Sequence, residues 1–279
     1  MNKKQLKKAW SEGKPLTPEM NQALAKFGKI SKPLRTTKLS FQRANAKLEK
    51  DTATFSLPAG WTCPSAKLCL SRSNRITGKL TDGKENKFRC FASNAENLFP
   101  NVRKSRWHNF ELLRGKTTAE MASLISKSLP IKGVTLCRIH VSGDFFSQAY
   151  FDAWIHVAMS HPNIIFYAYT KQLPLWIKRQ GYLPDNFRLT ASYGGIHDDL
   201  IVKHKLRSAK VVFTEAEAGS LPIDHDDTHA WKTKEDFALL LHGTQPAKTP
   251  AALAWQLIKT KGRGGYSRNN RRYFGKKVK

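Results

Sequence analysis

The stretch "VTLCRIHVSGDFFSQAYFDAWIHVAMSHPNIIFYAYTK", Val134 to Lys171, decides the fold. Its first eight residues are β-branched and apolar in the main, and read as a strand. The spacing then changes. Tyr150, Phe151, Trp154 and Val157 recur at helical intervals, so 147–161 reads as a helix. "NIIFYAYT", 163–170, is β-rich again. A strand, a helix and a second strand in close succession indicate a crossover unit with parallel strands.

The rhythm continues on both sides. "LPLWIKRQG" (173–181) reads as a helical turn, and "FRLTAS" (187–192) and "AKVVFTEA" (209–216) as two more strands. Three of the four strand runs are nearly continuous in apolar and aromatic residues, as strands covered on both faces require. Upstream, "SRWHNFELLRG" and "TTAEMASLISKSL" give two helical segments around Gly115, and "DTATFSLPAGWT" (51–62) a short strand and a turn. The class is α/β, with a partial parallel β/α barrel or an open parallel sheet at about 117–260. The chain divides into a basic helical extension (1–50), an α/β domain (51–260) with a Cys-containing loop at 63–90, and a basic tail (261–279). Within the extension "LTPEMNQALAKFG" reads as a helix, with Thr17 as cap, Pro18 in the first turn and Gly28 at the stop.

Parallel α/β folds build their sites at the carboxyl ends of the strands. Here those ends carry His140, Ser142 and Asp144; then Tyr169, Thr170 and Lys171; then Ser192, Tyr193, His197, Asp198 and Asp199; then Thr214, Glu215 and Glu217, with Asp224, His225 and Asp226 close behind. Polar, titratable groups at four successive strand ends point to a shared rim. His140, Asp144, Lys171 and Glu215 are the candidate catalytic residues. On strict alternation His140 shares a face with Arg138 and Ser142, where it can ligate a metal, act as a base or only bond to a carbonyl. Asp144 follows Gly143 and suits either a helix cap or a catalytic carboxylate. As a rim residue it is expected to tolerate Asp144→Asn with its melting temperature nearly unchanged. The glycines of "SYGGIHDD" permit a close phosphate or ribose approach, and "IDHDDTHAW" reads as an acidic loop.

Cys63, Cys69 and Cys90 are three of the four cysteines and lie in a basic, loop-rich segment. Three thiolates are the minimum that holds an iron–sulfur cluster with one open iron, or a zinc with one further ligand. The surrounding cations are expected to lower the thiol pKa values. The plain alternative is three buried thiols. So few cysteines make no disulfide scaffold, and reduced thiols fit a cytosol.

The 279 residues carry a formal net charge of +27, unevenly placed. Residues 1–50 hold 13 Lys/Arg against 3 acids, 63–116 hold 12 against 4, and 261–279 hold 8 against none. Residues 117–260 hold 15 against 13. Such a balance implies a polyanionic partner, DNA or RNA. In the tail Arg263, Arg268, Arg271 and Arg272 suit phosphates, and Tyr266 and Tyr273 suit stacking on unpaired bases. Arg103, Lys104 and Arg106 form a further basic cluster. No run of eighteen apolar residues and no secretory h-region is present, so no membrane association is expected. The sequence does not fix an oligomeric state.

At "FSLPAGWTCPSAKLCL", "RCFA", "RIHVSGDFFSQAYFDAW" and "FYAYTK" the chain resembles the gene-product-eighty-eight-like family of phages and plasmids, over roughly 55–215. The resemblance implies a mobile-element origin and a bacterial cytoplasm. A more distant likeness is to radical S-adenosylmethionine barrels, in which a three-Cys loop precedes parallel strands, although the C-x5-C spacing departs from theirs. Three functional readings follow. The first is a nucleic-acid-associated protein with a metal or iron–sulfur centre on Cys63, Cys69 and Cys90. The second is a metal-dependent nuclease or replication-initiation nickase, with His140, Asp144, His197, Asp198 and Glu215 around an ion. The third is a non-catalytic nucleic-acid-binding module.

Overall fold

The computed structural model describes residues 36–43 and 48–260. The helix read at 16–28 and the basic tail lie outside them, and with the tail Arg263, Tyr266, Arg268, Arg271, Arg272 and Tyr273. Nine strands are described: β1 Gln42–Arg43, β2 Thr52–Ser56, β3 Ser71–Ser73, β4 Leu80–Asp82, β5 Leu136–Ser142, β6 Ile165–Thr170, β7 Phe187–Ser192, β8 Ser208–Val212 and β9 Phe237–Leu240. The described helices are α1 Phe91–Leu98, α2 Pro100–Leu113, α3 Thr118–Ser128, α4 Gln148–Ser160, α5 Leu173–Ile177, α6 Asp199–Lys203, α7 Thr228–Lys232 and α8 Pro250–Thr260.

Seven strands form one sheet in the order β1-β2-β5-β6-β7-β8-β9, while β3 and β4 pair apart as a hairpin. Only β1 runs antiparallel to its neighbour; every other pair in the large sheet is parallel. The sheet is therefore the open form of the two architectures expected, not a closed barrel, and it begins earlier in the chain than residue 117. It also reaches into the segment read as an extension, where β1 pairs with β2 and Leu39 joins the core.

Space order follows chain order, so each crossover steps the same way. Helix α7, in the β8–β9 connector, packs on one face, and the connectors between β5 and β8 share the other. On that face Phe55, Ile139, Phe166, Ala168, Leu189 and Ala191 pack with Met121 and Ile125 of α3, Phe151 and Trp154 of α4, and Trp176 of α5. Helix α3 starts on a capping box, in which Thr117 and Glu120 satisfy each other's backbone N–H. The opposite face is covered from elsewhere. Helices α7 and α8 close over it with Phe88, while Leu57 and Leu113 of the segment between β2 and α3 belong to the core on the α3 and α4 side. Tyr167 and Phe237 pack on this opposite face with Ala230, and Leu241 with Ala251, Ala254 and Ile258.

Candidate functional site: a cavity at the carboxyl edge of the sheet

A cavity of about 420 Å³ opens where the inserted segment meets the strand ends. Cys63, Cys69 and Cys90 line it, with Ser142, Asp144, Thr170, Lys171 and Ser192 from the rim and Arg138, Asp224 and Asp227 at another part of the wall. The rim residues read at the ends of β5 and β6 share this surface with Ser192, whereas Tyr193, His197, Asp198, Asp199, Thr214, Glu215 and Glu217 do not line it.

Two short motifs explain how the thiols reach the sheet. Leu57 N–H donates to Ser142 O at 2.8 Å, joining the "LPAG" turn to the end of β5. Gly143 has φ +89°, and a Cβ there would stand 2.6 Å from Thr62 Oγ1 and 2.7 Å from Leu57 Cβ. Only glycine lets the turn pack this closely. Gly60 meets the same limit, since an added Cβ would lie 2.3 Å from Ser71 O. Its N–H donates to Cys63 Sγ at 3.3 Å.

Glu96 of α1 completes the joint. Its side chain is fully buried, and Oε1 accepts from Ala59 N–H at 2.8 Å, from Arg106 Nη1 at 2.9 Å and from Ser142 Oγ at 3.4 Å. One carboxylate therefore fastens the loop that leads to Cys63, the helix capped by Cys90 and the strand that leads to Asp144. Burial holds its pKa above the ordinary carboxylate value, against the pull of Arg106. Sequence reading missed Glu96 because "NAENL" resembles any exposed helical turn.

Arg103 and Arg106, read as phosphate contacts, are buried within this joint. Arg106 bonds Ala92 O as well as Glu96, and Arg103 donates to the carbonyls of Glu96, Arg75 and Ile76. Their donors are turned inward, which leaves Lys104, half-buried on α2, as the member of that cluster nearest to solvent.

Asp144 is buried and accepts from Phe145 N–H at 2.8 Å, Thr170 Oγ1 at 2.6 Å and Lys171 N–H at 2.8 Å. It ties the end of β5 to the end of β6. Helix α4 is capped by Ser147 instead, which accepts from Tyr150 N–H. Burial pushes the Asp144 carboxyl up to about 6, outweighing the bonds from Thr170, Lys171 and Phe145. The tolerance expected of Asp144→Asn is corrected by these contacts. Asparagine keeps one acceptor oxygen, so its –NH2 must face either Lys171 N–H or Phe145 N–H with Thr170 Oγ1, and the variant is expected to lose about 1–3 kcal/mol. Chemical denaturation reads this directly, and an unchanged midpoint would show that the bonds to β6 contribute nothing. Lys171 carries the same linkage onward: Nζ donates to Ser192 Oγ at 2.5 Å, Ser192 O at 3.1 Å and Tyr193 O at 2.8 Å.

His140 departs from strict alternation. The β2–β5 register shifts between Thr54 and Ser56, and His140 adopts φ +65°. The bulge turns its imidazole away from the Arg138 face, onto Phe145 and α4, where Nε2 lies 3.0 Å from Tyr150 Oη. Burial lowers its pKa from 6.5 to about 3. Asp198 accepts from the N–H groups of Gly194 and Gly195, so it organises the β7 loop. Glu215 is exposed at the start of a short turn and does not line the cavity. The ion-binding set of the nuclease reading is therefore not gathered in one place.

Among the described residues no three His, Cys, Asp or Glu side chains form a ready-made site for one metal ion. The three thiols are still electrostatic neighbours. Burial raises the Cys63 pKa first, and Asp144, Cys90 and Cys69 add to it. Burial and then Cys69 push Cys90 up to about 11. The lowered thiol pKa values expected from the basic composition are corrected for these two, because desolvation and like charge outweigh the surrounding cations. A single zinc, with Zn–S near 2.3 Å, requires the thiols to converge on one point. Cys137 lies in the core among the helix-face residues.

At another part of the wall Arg138 pairs with Asp227 at 2.5 Å and stacks over Tyr169. Asp227 takes the left-handed conformation, with φ +67°.

These features define an open, mostly parallel α/β protein with a thiol-bearing insertion over the carboxyl edge of its sheet. The chain belongs to the family described as Gene product 88, whose model matches residues 30–260. It is 34% identical to the Gene 88 protein of Mycobacterium phage L5 over 90 residues, which is 29% of this chain and 38% of that protein. Its identity to the Gene 88 protein of Mycobacterium phage D29 is 33%, over 90 residues and the same shares. The chain thus spans well under half the length of these curated relatives. No solved structure matches it, and the distant likeness to radical S-adenosylmethionine barrels finds no support in the comparisons. No described helix is long and apolar enough to cross a membrane.

Proposed function

We propose that this phage-family protein associates with nucleic acid in the bacterial cytoplasm and carries an iron–sulfur or zinc centre on Cys63, Cys69 and Cys90. The observation that supports it is the shared cavity: three cysteines from separate parts of the insertion line one wall, at the edge where parallel sheets place their sites. With three thiolates, an iron–sulfur cluster keeps one iron open to an exchangeable ligand. The chain's own residues do the positioning. Glu96 and Gly143 set the two Cys-bearing segments on β5, and Asp144 and Lys171 link the strand ends beneath them. The partner is read from the net charge of +27.

The test is iron, sulfide and zinc analysis of anaerobically purified protein. Wild type is expected to hold a centre. Cys63→Ala, Cys69→Ala and Cys90→Ala are each expected to lose it to a similar extent, while Cys137→Ala keeps it. Full occupancy in the first three variants would overturn the assignment.

A further inference from the structure

We infer that the β3–β4 hairpin, residues 71–87, is a phosphate-tracking surface that lays a single-stranded nucleic acid across the mouth of the cavity. The inference rests on the nucleic-acid reading above and gives that partner a place and a strand form.

The hairpin and its flanks hold cations in excess, and the structure shows which of them are already engaged. Lys67 pairs with Glu85 at 2.8 Å, Arg89 with Asp82 at 2.5 Å and Arg75 with Glu111 at 2.5 Å. These pairs neutralise both acids of the hairpin. Arg72, Lys79, Lys84 and Lys87 remain exposed, with no ion pair to a described residue. Four such charges on one short hairpin form a stripe that a phosphate backbone neutralises, with release of its counterions.

The stripe is fixed in place. Arg72 lies over the Trp61 ring at 5.2 Å, and its Nε donates to Gly60 O at 3.1 Å, which anchors an otherwise exposed side chain. Trp61 Nε1 donates to Ser73 O at 2.9 Å, which pins the hairpin to the loop leading to Cys63. Lys87 N–H donates to Leu68 O at 2.8 Å, and the chain passes straight from Lys87 into the cavity wall at Phe88–Ala92. The stripe therefore ends where the cavity begins.

The cavity decides the strand form. A duplex keeps its bases stacked and paired, and has no unit free to enter about 420 Å³. A single strand does, and Phe88, Phe91 and Tyr169 in the lining offer apolar and aromatic surface to an unpaired base.

The test compares the full-length wild type with an Arg72→Gln, Lys79→Gln, Lys84→Gln, Lys87→Gln variant, using a fluorescent oligodeoxythymidylate and a salt titration. Exposed substitutions leave the fold intact, which a melting curve checks. Each contact to a single strand contributes a slope of about 0.7 in log affinity against log salt, so four contribute about 3. Over a fourfold rise in salt the wild type is expected to lose about 50-fold more affinity than the variant. Equal slopes and equal affinities would overturn the inference. So would equally tight binding of a duplex of the same length, or hairpin-dependent binding to anionic vesicles without binding to the oligonucleotide. A wild type that binds no nucleic acid at all would remove the proposed function itself, an outcome distinct from binding that ignores the hairpin.

Discussion

Glu96→Gln is expected to destabilise the protein by about 3–5 kcal/mol, the cost of stranding a buried partner charge. Burial raises the Glu96 pKa in spite of Arg106, so desolvation outweighs the attraction and the pair adds little net stability. Its removal is costly for a different reason. With Glu96 neutral, the Arg106 guanidinium stays buried without a counter-charge, and the Ala59 N–H and Ser142 hydroxyl face a weaker acceptor. Removing both charges in Glu96→Gln/Arg106→Met is therefore expected to restore much of the loss. Urea unfolding of the wild type and both variants checks this. A single variant within about 0.5 kcal/mol of wild type, the range of ordinary surface changes, would show that the carboxylate does not fasten the insertion.

The second large effect is on acid stability. The folded-state pKa of His140 is lowered from 6.5 to about 3, so the native protein holds its imidazole neutral while the unfolded chain takes up a proton. The unfolded state then binds more protons between those values, and stability falls as pH falls. This contribution is fully present above pH 6.5 and is lost progressively down to about pH 3, amounting to roughly 4–5 kcal/mol. His140→Asn is the informative variant, because asparagine tolerates the left-handed conformation at φ +65°. It is expected to be less stable than wild type at pH 7 and to show a shallower acid slope, so that the gap between the two curves narrows as pH falls from 6.5 towards 3. Parallel curves would mean that the native imidazole protonates as freely as in the unfolded chain.

These two residues also mark where the sequence stops being legible. The crossover units announced themselves: β5 to β8 and α4 follow the apolar periods closely, because burial on two faces leaves a strong local signal. The rim at the ends of β5 and β6 was legible for the same reason, since strand ends can be counted. Strand β9 was missed because four residues, "FALL", after an acidic turn carry too little period. His140 was assigned to the wrong face because alternation assumes an unbroken ladder, and the bulge against β2 depends on a partner more than eighty residues away. Arg103 and Arg106 read as surface charges because arginine is rarely buried without a partner, and their partners are folded over them from another part of the chain. The close approach that demands Gly143 comes likewise from Leu57 and Thr62, distant in sequence.

The one-way strand order also imposes a schedule on synthesis. A ribosome delivers the thiol-bearing insertion before any of β5 to β9, so Cys63, Cys69 and Cys90 emerge with no floor beneath them. The sheet can then grow by one edge at a time, because no later strand has to be inserted between earlier ones. The cavity is the last thing to exist. Its walls include Leu48 from one end of the described chain and Asp224, Leu241 and Ile258 from the other. A nascent or truncated chain lacking the last of these strands keeps its early pairings but has no enclosed chamber. The full wall of that chamber therefore forms only after translation has passed residue 258.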